Sequence, residues 1–257
     1  MPWQTEREPR HTGLNPIFRR LNMHRTLVIA GLKGGVGKTT TALSLASAWA
    51  MEGRHVLLLD LDPQASASLA SGHQPAADPL STDPVPMPIP EGHGTLELLA
   101  GGRMLALARA REVERHLARA SQGRELIVID TPPAHSPLTA AAFRAADMVL
   151  APIECTPLSI PSLRDLSTII EAQVEPPRLR ALLVRVQRRR RLTSEVAELI
   201  AKDFPGALLD VEVPEDVRAA EAPGHGIPLC RHAPRSRAAA AYRRCAALLT
   251  QDLGGGQ

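Results

Sequence analysis

Three groups of residues in this chain have the types and spacing for chemistry on a phosphate. The first is Lys33-Gly34-Gly35-Val36-Gly37-Lys38-Thr39-Thr40. It follows the apolar run Thr26-Leu27-Val28-Ile29-Ala30 and opens a stretch of helical character from Thr41 to Ala50. Closely spaced glycines let backbone N–H groups turn inward around phosphate oxygens, and a helix N-terminus adds partial positive charge. In such a loop Lys38 reaches the β- and γ-phosphates and the Thr39 hydroxyl sits on Mg²⁺. The ordinary pattern is G-x-x-x-x-G-K-[ST]; here Leu32 stands at the first glycine position and a further lysine, Lys33, follows it. Lysine is scarce in this protein, with Lys33, Lys38 and Lys202 set against 27 arginines. Two of the three fall in one octapeptide, which argues against an incidental glycine-rich turn.

The second and third groups are carboxylates at the ends of apolar runs. Val56-Leu57-Leu58-Leu59 leads into Asp60-Leu61-Asp62-Pro63-Gln64, and Leu126-Ile127-Val128-Ile129 leads into Asp130-Thr131-Pro132-Pro133. Continuous apolar runs of this length suit buried parallel strands, whose C-terminal ends are where α/β sheets hold ligands. Asp130 reads as the carboxylate that binds Mg²⁺ through water beside Thr39.

The octapeptide KGGVGKTT is the signature of the deviant Walker A ATPases, and the chain resembles the ParA/MinD family over roughly residues 25–250. DxDPQ at Asp60–Gln64 and DTPP at Asp130–Pro133 resemble that family's second motif and switch segment. Pro214-Glu215-Asp216-Val217 and Glu221-Ala222-Pro223-Gly224-His225-Gly226-Ile227-Pro228 resemble its chromosome-partition branch. The resemblance implies that Lys33 crosses a dimer interface to the other subunit's nucleotide, that Asp62 orients the attacking water, and that Asp60 supports the outer coordination shell of the metal. It implies also that Pro214 packs near the adenine and that Asp216 approaches the exocyclic amine, where the branch more often has Asn. An ionised carboxylate there accepts from the amine but cannot donate to N1.

Those groups need a particular scaffold. Strand-like runs alternate with helical stretches at 136–146, 159–173 and 193–204, with further strands at 148–153, 179–186 and 208–213. That alternation predicts an α/β fold: one domain, residues 25–253, with a mostly parallel twisted sheet flanked by helices on both faces. Residues 1–24 mix Arg, Glu, Pro and His without periodicity and read as a mobile arm; Met23 is an alternative start. Residues 72–94 hold six prolines and three glycines and read as an irregular excursion. Thr95 then reads as the cap of a short helix at 96–100, Arg103–Ala120 as one amphipathic surface helix, and Gly254–Gln257 as a frayed tail.

Composition narrows the function. At 257 residues the chain has length for a sizeable core, and with aromatics at 2% that core must be built from Leu, Val, Ile and Ala. Cys155, Cys230 and Cys245 are odd in number and far apart, which suits free thiols and gives no spacing for an iron–sulfur cluster. No apolar run approaches the roughly 18 residues of a membrane span, and the N-terminus lacks an apolar signal core, so a cytoplasmic protein is expected.

Net charge is only +3, but it is unevenly spread. Seven arginines and no acid lie between Glu175 and Glu195, and no acid occurs from Ala222 to Gln251. Arg188, Arg189, Arg190 and Arg191, with Arg231, Arg235 and Arg237, are the candidate DNA surface, because arginines on phosphates bind duplex DNA without reading sequence.

The expected function is therefore that of a ParA-like, Mg²⁺-dependent ATP hydrolase. It forms an ATP-sandwich homodimer, binds double-stranded DNA non-specifically on the nucleoid, and positions a plasmid, chromosome or protein organelle such as a carboxysome with a ParB-like adaptor. The alternative is a MinD-like regulator cycling on membranes. That would need a C-terminal amphipathic helix with large apolar residues, and Ala238–Leu253 is mainly alanine with Tyr242, Leu248, Leu249 and Leu253.

Overall fold

The computed structural model describes residues 24–87, 94–156, 158–187 and 191–254. The strands are β1 (Arg25–Ile29), β2 (His55–Asp60), β3 (Val85–Met87), β4 (Thr95–Leu99), β5 (Leu126–Asp130), β6 (Met148–Glu154), β7 (Arg178–Val186) and β8 (Leu208–Pro214). They form one sheet in the order β3-β4-β2-β5-β1-β6-β7-β8, parallel throughout except for β3. The helices are α1 (Lys38–Met51), α2 (Ser66–Ala70), α3 (Ala110–Ala120), α4 (Pro137–Ala145), α5 (Ser159–Glu171), α6 (Arg191–Asp203), α7 (Val217–Glu221), α8 (Leu229–His232) and α9 (Arg237–Gly254), with short 3₁₀ turns at Arg103–Leu107 and Ala222–His225.

Alternation along the strands divides the core between the two faces of the sheet. Leu27, Ile29, Leu58 and Val128 point to one side, where α1, α8 and α9 pack. Val28, Leu57, Leu59, Ile127 and Ile129 point to the other, under α3, α4, α5 and α6. Helix α1 is buried almost all round, because it lies between the sheet and α9. Its polar groups are matched accordingly: Thr41 and Tyr242 hydroxyls meet at 3.1 Å, and the Trp49 indole N–H donates to Ala246 O (3.2 Å) and Thr250 Oγ1 (2.9 Å). Helices α1 and α9 therefore run side by side in the same direction. Tyr242, Leu249 and Leu253 are buried in that contact. No helix among the described residues is long and apolar enough to cross a membrane.

Four expectations need correction. Thr95 does not cap a helix at 96–100: Thr95–Leu99 is strand β4, parallel to β2 in the register His55↔Thr95 to Leu59↔Leu99, and Leu96 and Leu98 are buried by that pairing. The excursion at 72–94 contains β3, an antiparallel edge strand, and it tolerates Pro86 because only one side of an edge strand must hydrogen-bond. Arg103–Ala120 is not one helix. The 3₁₀ turn ends at Leu107, Ala108 is extended, and α3 starts at Ala110 behind its cap Arg109, whose backbone N–H donates to Glu112 Oε2 at 2.8 Å. Gly254 closes α9 rather than opening a tail. The expected arm at 1–24 lies outside the described residues except for His24.

Candidate nucleotide site

β1 occupies the centre of the sheet, where the chain turns one way to β2 and the other way to β6, and such a switch leaves a crevice at the strand C-termini. The segment Lys33–Lys38 spans that crevice between β1 and α1. Gly35 (φ 76) and Gly37 (φ 87) take left-handed backbone that a side chain would strain, and an added Cβ at Gly34 or Gly35 would meet nothing within 4 Å. The loop is thus shaped around open space at a helix N-terminus. Lys38 is buried, and its ammonium donates to Lys33 O at 3.1 Å. Burial lowers its pKa, while the charges of Asp130 and Asp62 oppose that shift. Lys33 itself is exposed.

Parallel pairing of β2 with β5 puts Asp60 directly beside Asp130. Thr39 Oγ1 donates to Asp130 Oδ2 at 2.7 Å, so the strand end and the loop are joined. Asp130 Oδ1 is buried with no hydrogen-bond partner. Burial, then the neighbouring Asp60 charge, pushes the Asp130 pKa up to about 8, and burial raises Asp60 to about 6. Two buried carboxylates side by side, one with an orphaned oxygen, form a site in want of positive charge. That donor set fits a hard, oxygen-seeking cation such as Mg²⁺.

Asp60 is more occupied than the sequence reading implies. Its Oδ1 accepts from Asp62 N (3.1 Å), and its Oδ2 accepts from Ser68 N and Ser68 Oγ (both 2.8 Å). Asp60 therefore organises the turn that carries Asp62, whose own Oδ1 accepts from Gln64 N at 2.8 Å. Ser68 and Gly101 are the residues that sequence reasoning missed. Gly101 N donates to Ser68 Oγ at 3.0 Å, and a Cβ on Gly101 would stand 2.8 Å from Asp60 Cγ. Neither residue belongs to a motif with a fixed spacing, so only the fold reveals them.

The remaining candidates lie around this centre. Pro214 ends β8 and is half-buried. Asp216 caps α7, accepting from Arg218 N at 3.1 Å and pairing with the Arg218 guanidinium at 3.7 Å, so its carboxylate is already engaged. Arg188, Arg189 and Arg190 lie outside the described residues. Arg191 starts α6 and is exposed, as are Arg231, Arg235 and Arg237. Arg191 and Arg237 begin helices on opposite faces of the sheet, yet both helices start at its C-terminal end, where the phosphate loop lies.

A family model described as the CobQ/CobB/MinD/ParA nucleotide binding domain matches residues 27–229. The chain belongs to this family. Among its relatives is the chromosome-partitioning ATPase Soj of Thermus thermophilus, 35% identical over 239 residues that cover 86% of this chain and 94% of Soj. In fold the chain is similar to cobyrinic acid a,c-diamide synthase from Mycobacterium smegmatis, solved with bound ADP and magnesium. The TM-score is 0.73 at 27% identity, covering 91% of this chain and 97% of the synthase. It is similar also to the septum site-determining protein MinD of Pyrococcus horikoshii, with a TM-score of 0.75 at 21% identity, covering 90% and 98% of the two chains. Within the CobQ/CobB/MinD/ParA family the partition ATPases are thus close relatives in sequence, and the shared fold extends to enzymes of other chemistry.

Proposed function

We propose that this protein is a Mg²⁺-dependent ATP hydrolase of the partition type. In this reading ATP bridges two copies into a sandwich dimer, the dimer binds duplex DNA without sequence preference, and an adaptor that stimulates hydrolysis releases it. The observation that carries the reading is Thr39 bonded to Asp130 across the phosphate loop, with the second Asp130 oxygen unpaired. The relation to Soj and the ADP and magnesium of the cobyrinic acid a,c-diamide synthase support it.

A magnesium ion bound here would supply positive charge to the β- and γ-phosphate oxygens. Thr39 would hold it directly and Asp130 through water; Asp60, with both oxygens already accepting bonds, would act mainly by fixing the turn. Lys38 would exchange Lys33 O for phosphate oxygens. Asp62 would hold the attacking water, which is the general-base task of a carboxylate within hydrogen-bond reach. Pro214 and Asp216 would border the base, and Lys33 would reach the second copy's nucleotide.

DNA would meet Arg191, Arg231, Arg235 and Arg237, of which Arg191 and Arg237 begin helices at the C-terminal end of the sheet; Arg188, Arg189 and Arg190 join them as candidates from the sequence alone. A dimer doubles the phosphate contacts of a monomer, so binding follows ATP. Cargo positioning then follows from linkage, since local stimulation of hydrolysis depletes the DNA-bound form.

The test is Lys33→Ala. It should bind ATP with wild-type affinity by calorimetry yet stay monomeric by light scattering with ATP. Normal ATP-dependent dimerisation of that variant would overturn the sandwich model.

A further inference from the structure

Arg185 has a left-handed backbone, with φ 54, and only Ala65 shares that feature among the described residues other than glycine. Such a conformation is unfavourable for any residue with a Cβ, and glycine would adopt it freely. The strain sits at a bulge: the register of β7 on β8 shifts between Leu183 and Val186. The neighbouring Val184 side chain lies 4.0 Å from where a Cβ on Gly37 would stand, so the bulge abuts the phosphate loop. The Arg185 guanidinium is ion-paired with Glu154 at the end of β6.

Glu154 has a second potential partner. It lines a cavity of about 20 Å³ with Gly31, Lys33, Val36 and Ser159, room for roughly one water molecule. Its side chain is 19% exposed, whereas that of Arg185 is 57% exposed. No described carboxylate lies within ion-pair distance of the Lys33 ammonium. A partly buried carboxylate is costly to leave without a counter-charge, and Lys33, which lines the same cavity as Glu154, offers one.

We propose that Arg185 is a positioning residue: by occupying Glu154 it keeps the Lys33 ammonium free to cross to the second copy's nucleotide. This rests on the reading that Lys33 acts in trans. It accounts for an arginine at a position where glycine would relieve strain, because the guanidinium is what the position requires.

The experiment is sedimentation velocity with Mg-ATP on wild type, Arg185→Gly, Glu154→Gln and the double variant, with ATP affinity measured by calorimetry. Arg185→Gly should unfold no earlier than wild type on heating and bind ATP unchanged, yet dimerise about twofold to fivefold more weakly, the scale of one modest ion pair. Glu154→Gln should dimerise like wild type, and adding it to Arg185→Gly should restore the dimer, since a neutral amide cannot hold Lys33. Wild-type dimerisation by Arg185→Gly would overturn the proposal. So would a defect that Glu154→Gln does not rescue, because that would mean a merely structural role. A wild type that stays monomeric with ATP would overturn the dimer reading, and this inference with it.

Discussion

Asp130→Asn should stabilise the protein without ligands while removing its activity. The wild-type carboxyl is wholly buried beside Asp60, one of its oxygens lacks a partner, and its pKa is raised to about 8. A group whose pKa is raised on folding keeps its proton in the native state. Its ionisation therefore destabilises the fold progressively as pH rises from the unfolded value of 3.8 to about 8. Replacing a buried, uncompensated charge by a neutral isostere gains about 1–3 kcal/mol. For a chain of this size each kcal/mol moves the melting temperature by about 2–4 °C. Thermal unfolding in EDTA at pH 8 should thus place Asp130→Asn about 2–12 °C above wild type. At pH 5 most wild-type Asp130 is already protonated, and the gap should shrink to about a third. Saturating Mg-ATP should reverse the order, since only wild type offers a charged oxygen to the metal. If Asp130→Asn melts below wild type in EDTA at pH 8, the carboxylate is not a strained, unpaired charge and the metal-site argument fails.

Lys38→Ala should abolish ATP binding by calorimetry, because the phosphate charge loses its fixed counter-charge; unchanged affinity would sink the phosphate-loop assignment. Asp62→Ala should keep ATP and dimerise more durably, with phosphate release slowed by roughly 10²–10⁴-fold. Turnover at the wild-type rate would move the water-positioning role elsewhere. Arg235→Ala should leave ATP affinity unchanged and lower the slope of log K for duplex DNA against log salt by about one. DNA binding that ignores both ATP and this substitution would mean that these arginines are ordinary surface.

The parallel core and the phosphate loop were legible because their signals are local. An apolar run followed by a glycine loop and a helix has one physical reading, and Asp130 ends a run too apolar to be anything but a buried strand. The strand Thr95–Leu99 was not legible. Thr-Leu-Glu-Leu-Leu alternates over too few residues to exclude a helical turn, and β2, which decides the matter, lies 40 residues away in its register partner His55. Arg103–Ala120 failed for a related reason. Leucine and alanine spacing runs through the break, and only the Arg109–Glu112 cap and the extended Ala108 interrupt it. At the site, motif residues were found and their supports were not. Asp60 reads from sequence as a metal neighbour, yet its bonds go to Ser68 and Asp62, and Arg185 carries no motif at all.

Those supports link the carboxylates to the rest of the molecule. Asp60 holds Ser68, which starts the last turn of α2, and α2 ends in a turn at Ser71-Gly72. A Cβ on Gly72 would stand 3.0 Å from Gly226 O, and one on Gly226 would stand 2.8 Å from Gly72 Cα. Both glycines are left-handed, with φ 81 and 65, so two turns meet backbone against backbone where no side chain fits. Gly226 follows the 3₁₀ turn at Ala222–His225, and beyond it lie α8 and the arginines at 231, 235 and 237. A continuous path of hydrogen bonds and close backbone contact thus joins the buried carboxylates to the segment that carries the candidate DNA contacts. Glycine at both positions is the condition for that path, because any larger residue would separate the two turns.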